Sequence, residues 1–225
     1  MELNADFSQR VVVHSDEVDW LSSPIPGVDR RMLDRIGEEV ARATTIVRYA
    51  PESKFSSHVH SGGEEFIVLD GVFQDEHGDF PAGSYIRNPP TSSHTPGSDK
   101  GCVIFVKLWQ FEPDDRTQVM IDMNKMEPVA AADRPGVSVV PLFHDERETV
   151  RMENWAKGTH VQMTLPQGGE FIVLDGSFID GEDTLRKHSW LRVPEGGKLD
   201  AVSNADNTKV WIKTGHIPHA KPPAA

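Results

Sequence analysis

The sequence predicts an all-β protein built from two copies of one small sandwich or barrel unit. The hexapeptide Phe-Ile-Val-Leu-Asp-Gly stands at 66–71 and again, letter for letter, at 171–176. Short apolar segments rich in β-branched and aromatic residues recur between Gly, Pro, Asn and Asp, as strands of such folds require. With 16 Pro and 18 Gly in 225 residues, turns are favoured over long helices.

The repeat keeps one register well beyond the hexapeptide. At an offset of 105 (171 minus 66), Glu65 meets Glu170, Phe73 meets Phe178 and Asp75 meets Asp180. Further on, Ser84, Arg87 and Pro89 meet Ser189, Arg192 and Pro194. After one inserted residue, Phe105-Val106-Lys107 meets Trp211-Ile212-Lys213. Self-similarity held this long marks a duplicated structural unit.

The elements follow in chain order. Residues 30–40 admit a short helix, although Gly37 interrupts it. Residues 66–69 and 102–109 read as buried strands, and 210–213 mirrors the latter. Asp70-Gly71, His77-Gly78, Pro81-Ala82-Gly83 and Asn88-Pro89-Pro90 read as turns between them. Residues 113–136, with three prolines and an alanine run, form the expected connector. The tail from His216, with Pro218, Pro222 and Pro223, is expected to be poorly ordered.

Composition narrows the function. Thirty-five acidic against 23 basic residues give a formal charge of −12, which disfavours nucleic acid and anionic membrane surfaces. The single Cys102 excludes an intrachain disulfide and a cysteine-cluster zinc site. Placed in an apolar strand, it reads as a small core residue rather than a redox thiol. No apolar run reaches the roughly 20 residues of a membrane-spanning helix. The start Met1-Glu2-Leu3-Asn4 has no basic, apolar leader, so a cytoplasmic location is expected.

Ten histidines remain, and three of them form a pattern. His58 and His60 are two apart, so a strand presents both imidazoles on one face. Gly62-Gly63 then permits a tight turn that returns Glu64, and His94 follows the Pro89-Pro90 turn. Three imidazoles and a carboxylate suit Zn²⁺, Fe²⁺, Mn²⁺, Ni²⁺ or Cu²⁺. In the second copy these four positions hold Met163, Leu165, Gly169 and Leu199. Groups lost together served one purpose, and a shared metal is the natural one. Glu65, by contrast, survives as Glu170 where no ligand remains, so Glu65 reads as structural and Glu64 as the ligand. Arg87/Arg192 and Lys107/Lys213 likewise read as scaffold.

These residues resemble the two motifs of the cupin family. His58-x-His60-x3-Glu64-x6-Gly71 follows the first, with Glu52 in place of its leading glycine. Gly83-x5-Pro89-x-Thr91-x2-His94 follows the second, with Thr91 for a glycine and Ser98 for the final asparagine. The wording is closest to ChrR-like cupins: Gly62-Gly63-Glu64-Glu65-Phe66, Asp75-Glu76-His77-Gly78-Asp79, Arg87-Asn88-Pro89-Pro90 and Gly101-Cys102-Val103. The resemblance is strong over 18–110 and weak over 137–215. It implies two tandem jelly rolls, a metal-binding one in residues 1–120 and a degenerate one in residues 121–225. It implies one divalent metal on His58, His60, Glu64 and His94, with Zn²⁺ expected and Fe²⁺ the alternative.

Two functions follow from that resemblance. One is a zinc-binding regulatory or sensor cupin of a bacterial stress response, like the cupin of the anti-sigma factor ChrR. The other is an Fe²⁺-dependent dioxygenase that cleaves a small diketone or hydroxyaryl ketone. ChrR joins its cupin to a zinc-binding, sigma-inhibiting domain marked by His-x3-Cys-x2-Cys. This sequence lacks that signature, so sigma-factor binding is not expected. A small-molecule ligand in the first copy and a homodimer are expected on the same resemblance.

Overall fold

The computed structural model describes residues 1–38 and 40–223. Apart from short 3-10 turns such as Met123–Lys125, the described elements are strands, nearly all paired antiparallel. No helix among them is long and apolar enough to cross a membrane. The chain forms two compact units. The first comprises Met1–Ala5 and Val18–Lys125, and the second Asp6–Glu17 and Met126–Ala220.

In the first unit, Val28–Gly37, Ala41–Tyr49, Cys102–Leu108, the front half of Glu64–Asp75, Ser84–Asn88 and Val119–Asp122 lie side by side. The back half of Glu64–Asp75 turns away to pair with Gly78–Pro81 and Gly97–Ser98. Gly71 makes that corner, with φ of 71°. A Cβ there would lie 2.2 Å from the Gly101 carbonyl oxygen, so only glycine fits. Asp70-Gly71 is therefore a bulge inside a strand rather than a turn, and the partner register slips between Val103 and Ile104. Phe66, Val68, Phe73, Ile86, Ile104 and Val106 fill the interior.

The second unit repeats the plan. Val137–His144, Thr149–Ala156, Asn207–Thr214, Gly169–Asp175 and Ser189–Val193 form one sheet. His160–Leu165, Gly197–Ser203, Ser177–Asp180 and Asp183–Arg186 form the other. The corner glycine is Gly176, with φ of 72°. Within the second unit the two sheets pack face to face over one core, as in a jelly roll, without closing edge to edge.

Three further expectations change. Residues 30–37 are strand, not helix: Val28–Gly37 pairs with Ala41–Tyr49 over its whole length, and this ladder overrides the weak local helical signal. Glu39 lies outside the described residues. The connector is partly structural, because Val119–Asp122 completes the first sheet beside Ser84–Asn88. The tail begins ordered: His216 is buried and its Nε2 lies 2.9 Å from Glu170 Oε1, and Ile217–His219 makes a 3-10 turn.

The second unit also takes a strand from the start of the chain. Val11–His14 pairs with Ser189–Val193. Phe7 lies 4.1 Å from the Arg192 guanidinium carbon, and Arg10 bridges Asp180 and Asp183.

Candidate metal centre

The ligand strands are short, and their pairing does the aligning. His58–Val59 pairs with Ser93–His94 so that His58 stands directly opposite His94. Past that strand, the His60 N–H donates to the Ser92 carbonyl and the Thr91 N–H to the His60 carbonyl, locking the two loops together. Glu64 opens the next strand opposite Asn88. Between them, Gly62 and Gly63 pass beneath two aromatic rings. A Cβ on Gly62 would sit 2.2 Å from the Trp109 ring, and one on Gly63 2.3 Å from Phe111.

The four groups converge. One ligand atom from each of His58, His60, Glu64 and His94 lies within 4.8 Å of every other. His60 Nε2 is 3.2 Å from His94 Nε2 and 3.3 Å from Glu64 Oε2, and His94 Nε2 is 3.6 Å from that same oxygen. His60 and His94 are buried, Glu64 is half-buried and His58 is exposed.

The far side of each ring fixes which nitrogen faces inward. Ser92 Oγ–H donates to the Pro89 carbonyl at 2.6 Å, so its oxygen accepts the His60 Nδ1–H at 3.0 Å. The Asp75 carboxylate accepts His94 Nδ1–H at 3.2 Å, and the Ser56 carbonyl lies 3.4 Å from His58 Nδ1. His60 and His94 thereby turn Nε2 toward the centre. Asn88 Nδ2 donates to Glu64 Oε2 at 3.3 Å and steadies the carboxylate.

The protonation equilibria follow these contacts. Burial pulls the His60 imidazole below its usual value, against the opposing charge of Glu64. Burial acts the same way on His94, but the Asp75 hydrogen bond and the charges of Glu64 and Asp75 outweigh it and raise its pKa. For Asp75, burial is outweighed by the His94 hydrogen bond and the His77 N–H, so the carboxyl stays below the usual range.

The donor set fits a divalent metal. Two imidazole nitrogens and a carboxylate oxygen face one another at 3.2–3.6 Å, and one shared cation would satisfy all three at once. These separations bracket the edge of a tetrahedron with bonds of about 2.0–2.1 Å, roughly 3.3–3.4 Å.

All four residues named from the sequence meet here, and Glu65 does not. It lies on the opposite face of its strand, fully buried, accepting the Tyr85 hydroxyl at 2.6 Å. The second unit reproduces the geometry without the chemistry, since Met163 stands opposite Leu199 as His58 stands opposite His94. Asn88 and Ser92 escaped the sequence reading, although the repeat carried a signal for both: their counterparts are Val193 and Gly197, lost with the ligands. Asp75 carried none, because Asp180 preserves it for another purpose, accepting the Asp200 N–H and pairing with Arg10.

Comparison with known proteins agrees with this architecture. A family model described as the ChrR cupin-like domain matches residues 8–112. No protein among the curated sequences matches. The fold resembles that of a candidate dioxygenase from Nostoc punctiforme, at 15% identity and TM-score 0.77, over 95% of this chain and 85% of that one. It also resembles protein YlbA from Escherichia coli, at 14% identity and TM-score 0.68, over 93% and 92%. The pirin YhhW of Escherichia coli, solved with nickel(II), aligns at 13% identity and TM-score 0.63, over 92% and 99%. At such identities the likeness is one of fold: this is a cupin architecture in two copies.

Proposed function

We propose, with the ChrR cupin-like match over residues 8–112 as the premise, that the first unit holds one Zn²⁺ on His58, His60, Glu64 and His94 as a regulatory or sensor cupin. The observation that carries the metal is the convergence of two inward lone pairs and a carboxylate, each fixed by its own partner behind it. Four protein ligands suit Zn²⁺, and three of them, His60, Glu64 and His94, stand at near-tetrahedral edges. Metal analysis of the purified chain should give about one equivalent, lost in both His60→Ala and Glu64→Gln. Full retention in both variants would end the metal reading.

One observation favours the second reading, an Fe²⁺-dependent dioxygenase. His58 and its neighbour Val59 are exposed, the latter at 61%, so the centre is reachable from solvent. A bound metal would there polarise a small molecule that coordinates it. Tyr49 packs on Phe55 and Phe73 at 4.7 and 6.1 Å, and Phe73 meets the His94 ring at 5.6 Å. Anaerobic Fe²⁺ loading followed by O₂-uptake measurements on a series of β-diketones separates the two readings. Uptake abolished by Glu64→Gln selects the dioxygenase, whereas no uptake with Zn²⁺ retained through purification selects the sensor. The homodimer is a further part of the proposal, read by size-exclusion with light scattering.

A further inference from the structure

Where the first unit gathers its ligands, the second has a cavity of about 620 Å³, within the usual size range of small-molecule sites. Arg134, Arg147, Arg151, Gln162, Met163 and Thr164 contribute to its wall. Trp155, Glu153 and Arg151 alternate along one face of their strand, running from the apolar core out to the cavity. Pairing places Arg151 and Glu153 opposite Ile212 and Val210. The matching sites of the first unit are Thr45 and Val47, opposite Val106 and Ile104. The copy that lost four metal ligands therefore carries an arginine and a glutamate where the other has Thr and Val.

Glu153 is fully buried and fully engaged. It accepts Arg151 Nε at 2.6 Å, Arg134 Nη1 at 2.9 Å and Trp155 Nε1 at 2.8 Å. Two guanidinium groups thus share one carboxylate, which leaves one positive charge over. Both arginines reach the surface of the cavity, at 18% and 25% side-chain exposure, with N–H donors beyond those that Glu153 uses. Arg151 Nη2 lies 3.5 Å from Met163 Sδ, the residue that stands where His58 does. A guanidinium has thus come to the position that corresponds to the metal centre. The wall also carries acidic groups, and Arg147 offsets one of them, Glu148, at 3.5 Å. Lys213 pairs with Glu148 at 3.0 Å, Asp145 accepts the backbone N–H groups of Arg147 and Glu148, and Asp133 and Glu146 are exposed at the rim.

We propose that this cavity is a second ligand site, which takes a small oxyanion of the carboxylate class on Arg134 and Arg151. Planar guanidinium forks match a carboxylate in two parallel hydrogen bonds, and Gln162 and Thr164 add neutral polar groups.

The test is calorimetric titration of the full chain with malonate, and separately with inorganic phosphate. Both run in wild type and in His60→Ala, which removes the first unit's centre from the measurement. One malonate site of equal affinity in the two backgrounds is expected. Arg151→Met should weaken it about tenfold or more, as loss of a charge-assisted hydrogen bond does. Tighter binding of phosphate, equally sensitive to Arg151→Met, supports the same site with phosphate as the source of the oxyanion. Should Arg151→Met fail to fold by near-UV circular dichroism, Arg134→Gln, at the more exposed arginine, decides in its place. The proposal falls if folded protein binds neither anion, or if both variants keep wild-type affinity.

Discussion

The centre is governed at the residue scale by atoms that would never touch a metal. Asp75, Ser92 and the Ser56 carbonyl each face an Nδ1 and so decide that Nε2 is the donor. Asp75→Asn keeps the shape but weakens the acceptor behind His94. Metal affinity should fall about 10–100-fold, the usual consequence of losing such support, as read by competition with a chromophoric chelator. Unchanged affinity would mean that His94 is held by packing against Phe73 alone. Cys102 supplies a second residue-scale prediction. Burial pushes its thiol up to about 11, far from the reactive thiolate range. Native protein at pH 8 should resist iodoacetamide, and denatured protein should react with one equivalent.

Elements show where the departures from the family pattern fall. Glu52 and Thr91 occupy positions that the cupin motifs give to glycine, and both adopt left-handed backbone, with φ of 61° and 76°. Thr91 is the costlier, because a β-branched side chain is poorly tolerated there. Thr91→Gly should therefore raise stability by about 1 kcal/mol, the relief of left-handed strain less the added chain entropy of glycine. Chemical denaturation checks this, and a loss of stability would show that the methyl and hydroxyl contribute more than the backbone strain costs. Gly62 gives the opposite case. Gly62→Ala drives a methyl into the Trp109 ring, and overpacking of this kind costs about 1–3 kcal/mol. The cost falls on the loop between His60 and Glu64, so metal affinity should drop while far-UV circular dichroism stays unchanged. The four ligands were legible in the sequence because a two-residue period and a failed duplicate both point at them. The strand at 28–37 was not, because its state is set by the ladder with Ala41–Tyr49 rather than by any local preference.

The whole molecule adds something that neither the repeat nor the composition discloses. Residues 6–17 precede the first copy in sequence yet belong to the second unit in space. No local signal marks this, because Val11–His14 reads as an ordinary short strand whichever sheet receives it. Its attachment is nonetheless specific. Val12 packs on the second unit's core, Arg192 donates to the Asp6 carbonyl at 2.9 Å, and Arg186 holds Asp16 at 2.8 Å. Arg186 and Asp16 are exposed enough that solvent screens much of their attraction, so the apolar contact and the ladder carry more of the stability. Val12→Asp places a carboxylate against that core, at a cost of about 1–3 kcal/mol for an unpaired polar group. In hydrogen exchange on the full chain, amides of Ser189–Val193 and Gly169–Asp175 should lose protection, while those of Ala41–Tyr49 and Cys102–Leu108 keep theirs. Equal loss in both sets would show that the two copies open as one cooperative body, with the exchanged strand reporting on the whole chain rather than on the unit it completes.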